Sequence, residues 1–144
     1  TGILSYGILD RRALAQTVFS DKTGARLKRL NAITHKYVIA EAERIMDGYR
    51  KDGVRAVVFD APLLFESGYD KKCDVTVAVV ADRDRRVARI MERDGLTADA
   101  ARKRIDAQVS DAFLIDNSDY VIHNDGTTAD LTKAVNELID KILF

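Results

Sequence analysis

The sequence predicts an α/β fold in which a parallel sheet is flanked by helices. Three observations predict it. Short apolar runs rich in β-branched residues occur at Val54–Phe59, Val75–Val80 and Tyr120–Ile122. Segments with helical spacing separate or follow them, at about 83–94, 98–109 and 128–143. Punctuation is sparse, with one proline and eight glycines in 144 residues, so long elements are expected.

From the start of the chain, Asp10 is placed to cap a helix that opens at Arg11 and carries Leu14, Val18 and Phe19 at helical spacing. A longer helix is expected from about Thr23 to Asp52. Its apolar positions Leu27, Leu30, Ile33, Tyr37, Val38 and Ala42 step by threes and fours, and Gly53 supplies a left-handed stop. Val54–Phe59 then reads as a buried strand, ended by Asp60-Ala61-Pro62. Asp82, Thr97 and Thr127 or Thr128 are candidate N-caps, and Gly95 stands where a C-cap belongs. The last helix is expected to bury Leu131, Val135, Leu138, Ile139 and Ile142. Three short strands are few for a parallel sheet covered on both faces, and the first follows some 53 mostly helical residues. The order reads like the later part of an α/β protein.

Composition bounds the function classes. Hydrophobic residues make up 47% and charged residues 32%, as in an ordinary globular domain. Basic and acidic residues number 23 each, so a bulk polyanion binder has no compositional support, although local basic stripes remain open. A single cysteine, Cys73, excludes an intrachain disulfide and agrees with a reducing compartment. No apolar run reaches the roughly 18 residues of a membrane-spanning helix. The first residues do not carry a charged segment followed by an apolar one, so no signal peptide is expected. A cytoplasmic protein is the expectation.

Four constellations bear chemistry. In Asp60-Ala61-Pro62-Leu63-Leu64-Phe65-Glu66, an aspartate directly after a buried strand is placed to face phosphate or Mg²⁺, with Glu66 across a short turn. The same aspartate reads equally well as a plain cap. Arg85, Arg89 and Arg93 share one helix face, as a solvated stripe or as an anion contact. On the next helix Ala101, Arg104, Ile105 and Gln108 fall together. Arg104 there either clamps a phosphoryl group or pairs with Asp99, Asp106 or a core carboxylate. Asn124-Asp125-Gly126-Thr127 links the last strand to the last helix, as a donor-bearing turn or a simple β-to-α connection. Asn31 and His35 stand one helical turn apart, for phosphate binding, proton movement or structure. One cysteine and two distant histidines make no zinc site. Gly2–Gly7 and Gly48–Gly53 have the glycine spacing of a phosphate loop, but Ile8 and Val54 follow them instead of lysine.

Taken together, these runs resemble the dephospho-CoA kinase family, P-loop kinases of the nucleoside-monophosphate-kinase type. The matching residues are Gly7-Ile8-Leu9-Asp10-Arg11-Arg12-Ala13-Leu14 with Val18-Phe19, then Leu30-Asn31 with His35, then Asp60 to Glu66. Arg89, Arg93-Asp94-Gly95-Leu96-Thr97, Arg104-Ile105 with Gln108, and Asp119-Tyr120-Val121-Ile122 with Asn124 and Gly126 complete the series. The resemblance covers nearly the whole chain and implies transfer of the ATP γ-phosphoryl group to the ribose 3′-hydroxyl of dephospho-CoA. It implies ATP and Mg²⁺ as co-substrate and metal, with no protein ligand for the metal assigned. The implied partners are small molecules, with no nucleic acid and no membrane.

By the same resemblance, Arg104 and Asp60 are catalytic. Arg11, Asn31, His35 and Glu66 bind the acceptor, and Arg104, Gln108, Asn124 and Gly126 bind ATP. The implied organisation is a helical acceptor region at 1–53, core sheet at 54–82, a lid at 83–112 and core sheet again at 113–144. Lys36 follows His35 where the family usually has proline, so a continuous helix is allowed there. The family's opening strand and Gly-rich phosphate loop, with its lysine and serine, have no counterpart in these residues. The 144 residues alone are therefore expected to lack kinase activity. Another small P-loop kinase, or a non-catalytic form that keeps acceptor binding, are the alternatives.

Overall fold

A computed structural model describes residues 4–5 and 8–144. Gly7, which opens the family-like run, and the Gly2–Gly7 spacing lie outside the described residues. The chain divides into two compact units, Thr1–Tyr69 and Asp70–Phe144.

The first unit is mainly helical. Strands β1 (Leu4–Ser5) and β2 (Ile8–Leu9) pair antiparallel. Asp10 then caps α1 (Arg11–Phe19), its carboxylate accepting from the N–H groups of Arg12 and Ala13. Helix α2 (Ala25–Lys51) runs unbroken through His35 and Lys36, as lysine in place of proline permits. Asp21 braces its start by accepting from the Thr23 and Arg26 N–H groups. Gly53, at φ 69°, follows the helix in the left-handed region.

The expected strand at Val54–Phe59 does not form. The segment takes no regular secondary structure, and Val58 is 93% exposed. A buried parallel strand needs hydrogen-bonded neighbours, and among the described residues none lies alongside it. Pro62 precedes the short helix α3 (Leu64–Ser67), and a 3-10 turn (Tyr69–Lys72) follows. The Phe59 and Tyr69 rings pack with centroids 4.7 Å apart and close this stretch on itself.

The second unit is the α/β part. Strands β3 (Val77–Val80) and β4 (Tyr120–His123) form a parallel pair with Val77 opposite Tyr120 and Val80 opposite His123. The crossover between them carries α4 (Arg83–Asp94), α5 (Ala98–Asp106) and α6 (Asp111–Asn117), the last of which the sequence reading did not separate. Helix α7 (Thr128–Leu143) closes the chain. Asp82, Thr97 and Thr127 cap as expected, and Thr127 forms a reciprocal capping box with Asp130.

Val87, Ala101 and Ile105 make the buried seam between α4 and α5, with Ile90 and Ala98 packed against it. On β3 only alternate residues are covered: Ala78 and Val80 are buried, while Val77 and Val79 are 39% and 57% exposed. The two-faced cover expected of a parallel sheet is thus one-faced here. The last helix half-buries Leu131, Val135, Leu138 and Ile142, but Ile139 is 44% exposed and does not join them.

Candidate active site

In an open α/β unit, the loops at the carboxyl ends of parallel strands are the usual place for a ligand. Two such loops are tied together here. Leaving β4, the Asn124 N–H donates to the Val80 carbonyl at 2.8 Å. Just beyond β3, the Asp82 N–H donates to Asp125 Oδ1 at 2.6 Å. Arg89 of α4 reaches the same turn, its Nη2 donating to the Asn124 carbonyl at 2.9 Å. Gly126 has no room for a side chain, because a Cβ there would stand 2.6 Å from Asp130 Oδ2. Asn124 and Gly126 therefore lie in a turn fixed from three sides. The opposite ends of the strands are fixed as well. Thr76 donates to Asp119 Oδ2 from both its N–H and its hydroxyl, each at 2.7 Å. These bonds, the hydroxyl first, hold the Asp119 carboxyl below the usual carboxylate range.

Arg104 stands in the last turn of α5 and donates to Asp94 Oδ2 at 2.5 Å. Its partner is not one of those the sequence suggested, since Asp99 pairs with Arg102 and Asp106 with Arg83. Asp94 is also gripped by Arg93, which, with Arg104, holds its carboxyl below the usual carboxylate range. Gln108 does not share a helix with Arg104. The expected helix at 98–109 stops at Asp106, where Ala107 caps it, and Ser110 then opens α6 by accepting from the Phe113 N–H. Of the arginine stripe, Arg89 and Arg93 are engaged as described. Arg86, off the stripe, pairs with Asp111.

Within the first unit, Asn31 and His35 are half-buried one turn apart on α2, in line with Leu27 and Ile39. Arg11 is the exposed first residue of α1. Asp60 is exposed at the end of the segment that follows Gly53, and Glu66 is exposed on α3. Cys73 is no activated nucleophile, because burial, with Asp70 and Asp74 nearby, pushes its thiol up. Among the described residues no three of His, Cys, Asp and Glu converge as a metal-binding group. An open pocket of about 400 Å³ between β4 and α7 is lined by Tyr120, Ile122, Leu138 and Lys141, and holds none of the expected site residues.

The bonds of Asp125 to Asp82, of Asp119 to Thr76 and of Arg89 to Asn124 were not legible in the sequence, although the residues stand in its conspicuous runs. Their partners are 35 to 43 residues away, and no local spacing reports such a bond. The Thr127-x-x-Asp130 box was legible in principle from its spacing.

A parallel strand pair with its turns gathered at the carboxyl ends, next to an arginine-rich helical hairpin, defines an α/β unit of the kind that takes ligands at its strand ends. A family model described as dephospho-CoA kinase matches residues 2–130. The chain is 40% identical over 137 residues to a dephospho-CoA kinase of Corynebacterium glutamicum, covering 95% of this chain and 68% of the relative. It is 37% identical over 134 residues to one from Lactobacillus johnsonii, covering 93% and 67%. The solved dephospho-CoA kinase from Campylobacter jejuni superposes with a TM-score of 0.68 at 29% identity, over 98% of this chain and 69% of that one. The chain belongs to the dephospho-CoA kinase family, and it spans about two thirds of the length of these relatives. No helix among the described residues is long and apolar enough to cross a membrane.

Proposed function

We propose that the protein carrying this chain is an ATP-dependent dephospho-CoA kinase, which forms CoA in the last step of its biosynthesis. The observation that carries this reading is the family match over residues 2–130, which includes the Asp60 to Glu66 run. In the reaction the ribose 3′-hydroxyl oxygen bonds to the γ-phosphorus, the bond to the ADP oxygen breaks, and the hydroxyl proton is lost. Such a transfer depends on positioning and on cationic clamps more than on covalent chemistry.

Arg104 supplies a charge-assisted clamp for the phosphates, with Gln108 nearby in sequence, from a lid at 83–112. The turn at Asn124 and Gly126 presents its peptide groups to the adenine. Its bracing by Val80, Asp82 and Arg89 supports that role, because a fixed turn need not be ordered by the ligand. Arg11, Asn31, His35 and Glu66 bind the acceptor, and Asp60 faces its hydroxyl. The division into 1–53, 54–82, 83–112 and 113–144 belongs to the same reading. Mg²⁺ arrives with ATP as part of the substrate, held by phosphate oxygens and water, and no described residue is assigned to it. The partners are these small molecules, and the setting is the cytoplasm.

The test is ATP-dependent phosphorylation by the native protein, with dephospho-CoA, nucleosides and nucleoside monophosphates compared as acceptors. Preferred turnover of dephospho-CoA is the expected outcome. Preference for another acceptor, or binding of dephospho-CoA without turnover, overturns the reading. The 144 residues by themselves contain no Gly-x-x-x-x-Gly-Lys-Ser/Thr cradle and are expected to turn nothing over.

A further inference from the structure

One acid draws together two arginines from separate helices. Asp94 is the last residue of α4, and Gly95 after it, at φ 66°, turns the chain toward α5. Arg93 donates to Asp94 from Nε at 2.7 Å and from Nη2 at 2.9 Å, one nitrogen to each carboxylate oxygen. Arg104, ten residues from Asp94, donates from Nη1 to the Oδ2 that Arg93 also uses, at 2.5 Å. The Asp94 side chain is 25% exposed, against 69% for Arg93 and 56% for Arg104. The two guanidinium groups thus cover the carboxylate and are themselves the more exposed.

Two cations this close repel each other unless an anion lies between them. Asp94 supplies that anion with a single charge, so the trio keeps a net positive charge. The bond to Asp94 spends only Nη1 of Arg104, which leaves Nε and Nη2 for a second anion. Arginine side chains lose rotamer freedom on binding, and a partner that orders them beforehand lowers that cost.

We propose that Asp94 is a positioning residue that gathers Arg93 and Arg104 into one two-guanidinium seat for a phosphoryl group of ATP. The proposal rests on the reading of Arg104 as a phosphate-binding residue. Asp94 itself touches no substrate and acts through the arginines.

The test is steady-state kinetics on the native protein with Asp94→Asn, Asp94→Glu and Arg104→Ala, each with a melting curve. Asp94→Asn keeps an acceptor oxygen but removes the charge. It raises KM for ATP by roughly three- to fivefold, the scale on which an exposed charged pair orders a side chain. KM for dephospho-CoA and the melting temperature stay where they were, Asp94→Glu recovers most of the ATP effect, and Arg104→Ala raises KM for ATP further.

If Arg104→Ala raises KM for ATP while Asp94→Asn does not, the role of Asp94 is overturned and the reading of Arg104 stands. If neither changes it, both are overturned. A lower KM for ATP in Asp94→Asn makes the acid a competitor for Arg104 and overturns the proposal. Equal losses in Asp94→Asn and Asp94→Glu with a matching fall in melting temperature overturn it too, as a purely structural effect.

Discussion

The two units hold their shape by different means. In the first, the side-chain hydrogen bonds described above are local: Asp10 caps the helix that begins beside it, and Asp21 binds residues two and five positions on. Its buried side chains among the described residues are Val18, Ala42 and Tyr69, while Tyr37 and Val58 stand 69% and 93% exposed. In the second, carboxylates bridge long stretches of chain, from Asp119 to Thr76 and from Asp125 to Asp82, each across 43 residues. Buried side chains accompany them, Ala78 and Val80 on β3 and the seam of Val87, Ala101 and Ile105 between α4 and α5. The first unit thus leans on helix-local order. The second has tertiary order that ties its turns to its strands, which is what a preorganised turn requires.

Substitutions can break that contrast. The largest effect is expected from Ile105→Ala, which empties a site 7% exposed in the α4–α5 seam and costs about 2–5 kcal/mol in denaturant unfolding. The matching Ile33→Ala on α2, at a position 50% exposed, shifts stability by about 0.5 kcal/mol or less. Similar losses at both sites would erase the distinction between the units.

Next comes Gly126→Ala. Its Cβ would meet Asp130 Oδ2 at 2.6 Å and push that carboxylate out of the capping box. A melting temperature lower by a few degrees, with a raised KM for ATP, is the expected result by thermal melting and kinetics.

The smallest effect concerns acid. The Thr23 hydroxyl, with the N–H groups of Arg26 and Thr23, lowers the Asp21 pKa from 3.8 to about 2. A depressed carboxyl stabilises the folded form above its unfolded pKa, and that contribution is lost as pH falls through the folded value. Melting temperature should therefore fall between about pH 4 and pH 2, and Asp21→Asn should remove part of the fall. An unchanged acid profile in Asp21→Asn would assign the fall to carboxylates elsewhere, Asp119 among them.

What could be read from the sequence follows the same contrast. Helices announced by their own residues, such as Asp10 before Arg11 and Thr97 before Ala98, were legible because cap and helix are adjacent. The parallel pair was legible from the β-branched runs at 75–80 and 120–122. Val54–Phe59 has the same composition but is not a strand, because strand formation depends on neighbours that composition does not report. For the site, the residues of the conspicuous runs were named in advance, but their partners were not. As a pairing partner for Arg104 the sequence suggests Asp99, Asp106 or a core carboxylate, beside the reading of a phosphoryl clamp, and the partner it has is the exposed Asp94 across the hairpin. Helical spacing fixes which residues share a face, whereas a guanidinium reaches whatever carboxylate the turn at Gly95 brings round.

The Thr76–Asp119 clamp also works as a ruler. It fixes where β4 starts against β3, and the Asn124 N–H on the Val80 carbonyl fixes where the pairing ends. Between these two marks each residue advances the chain by about 3.3 Å. A one-residue insertion or deletion in β4 would therefore misplace the Asn124–Gly126 turn by that distance, or force the clamp open. A slip of β3 by one residue would bring the exposed Val77 and Val79 to the covered positions of Ala78 and Val80, and at the first of these a valine would stand where an alanine is buried. The length of a four-residue strand thereby sets how far beyond the sheet the turn stands.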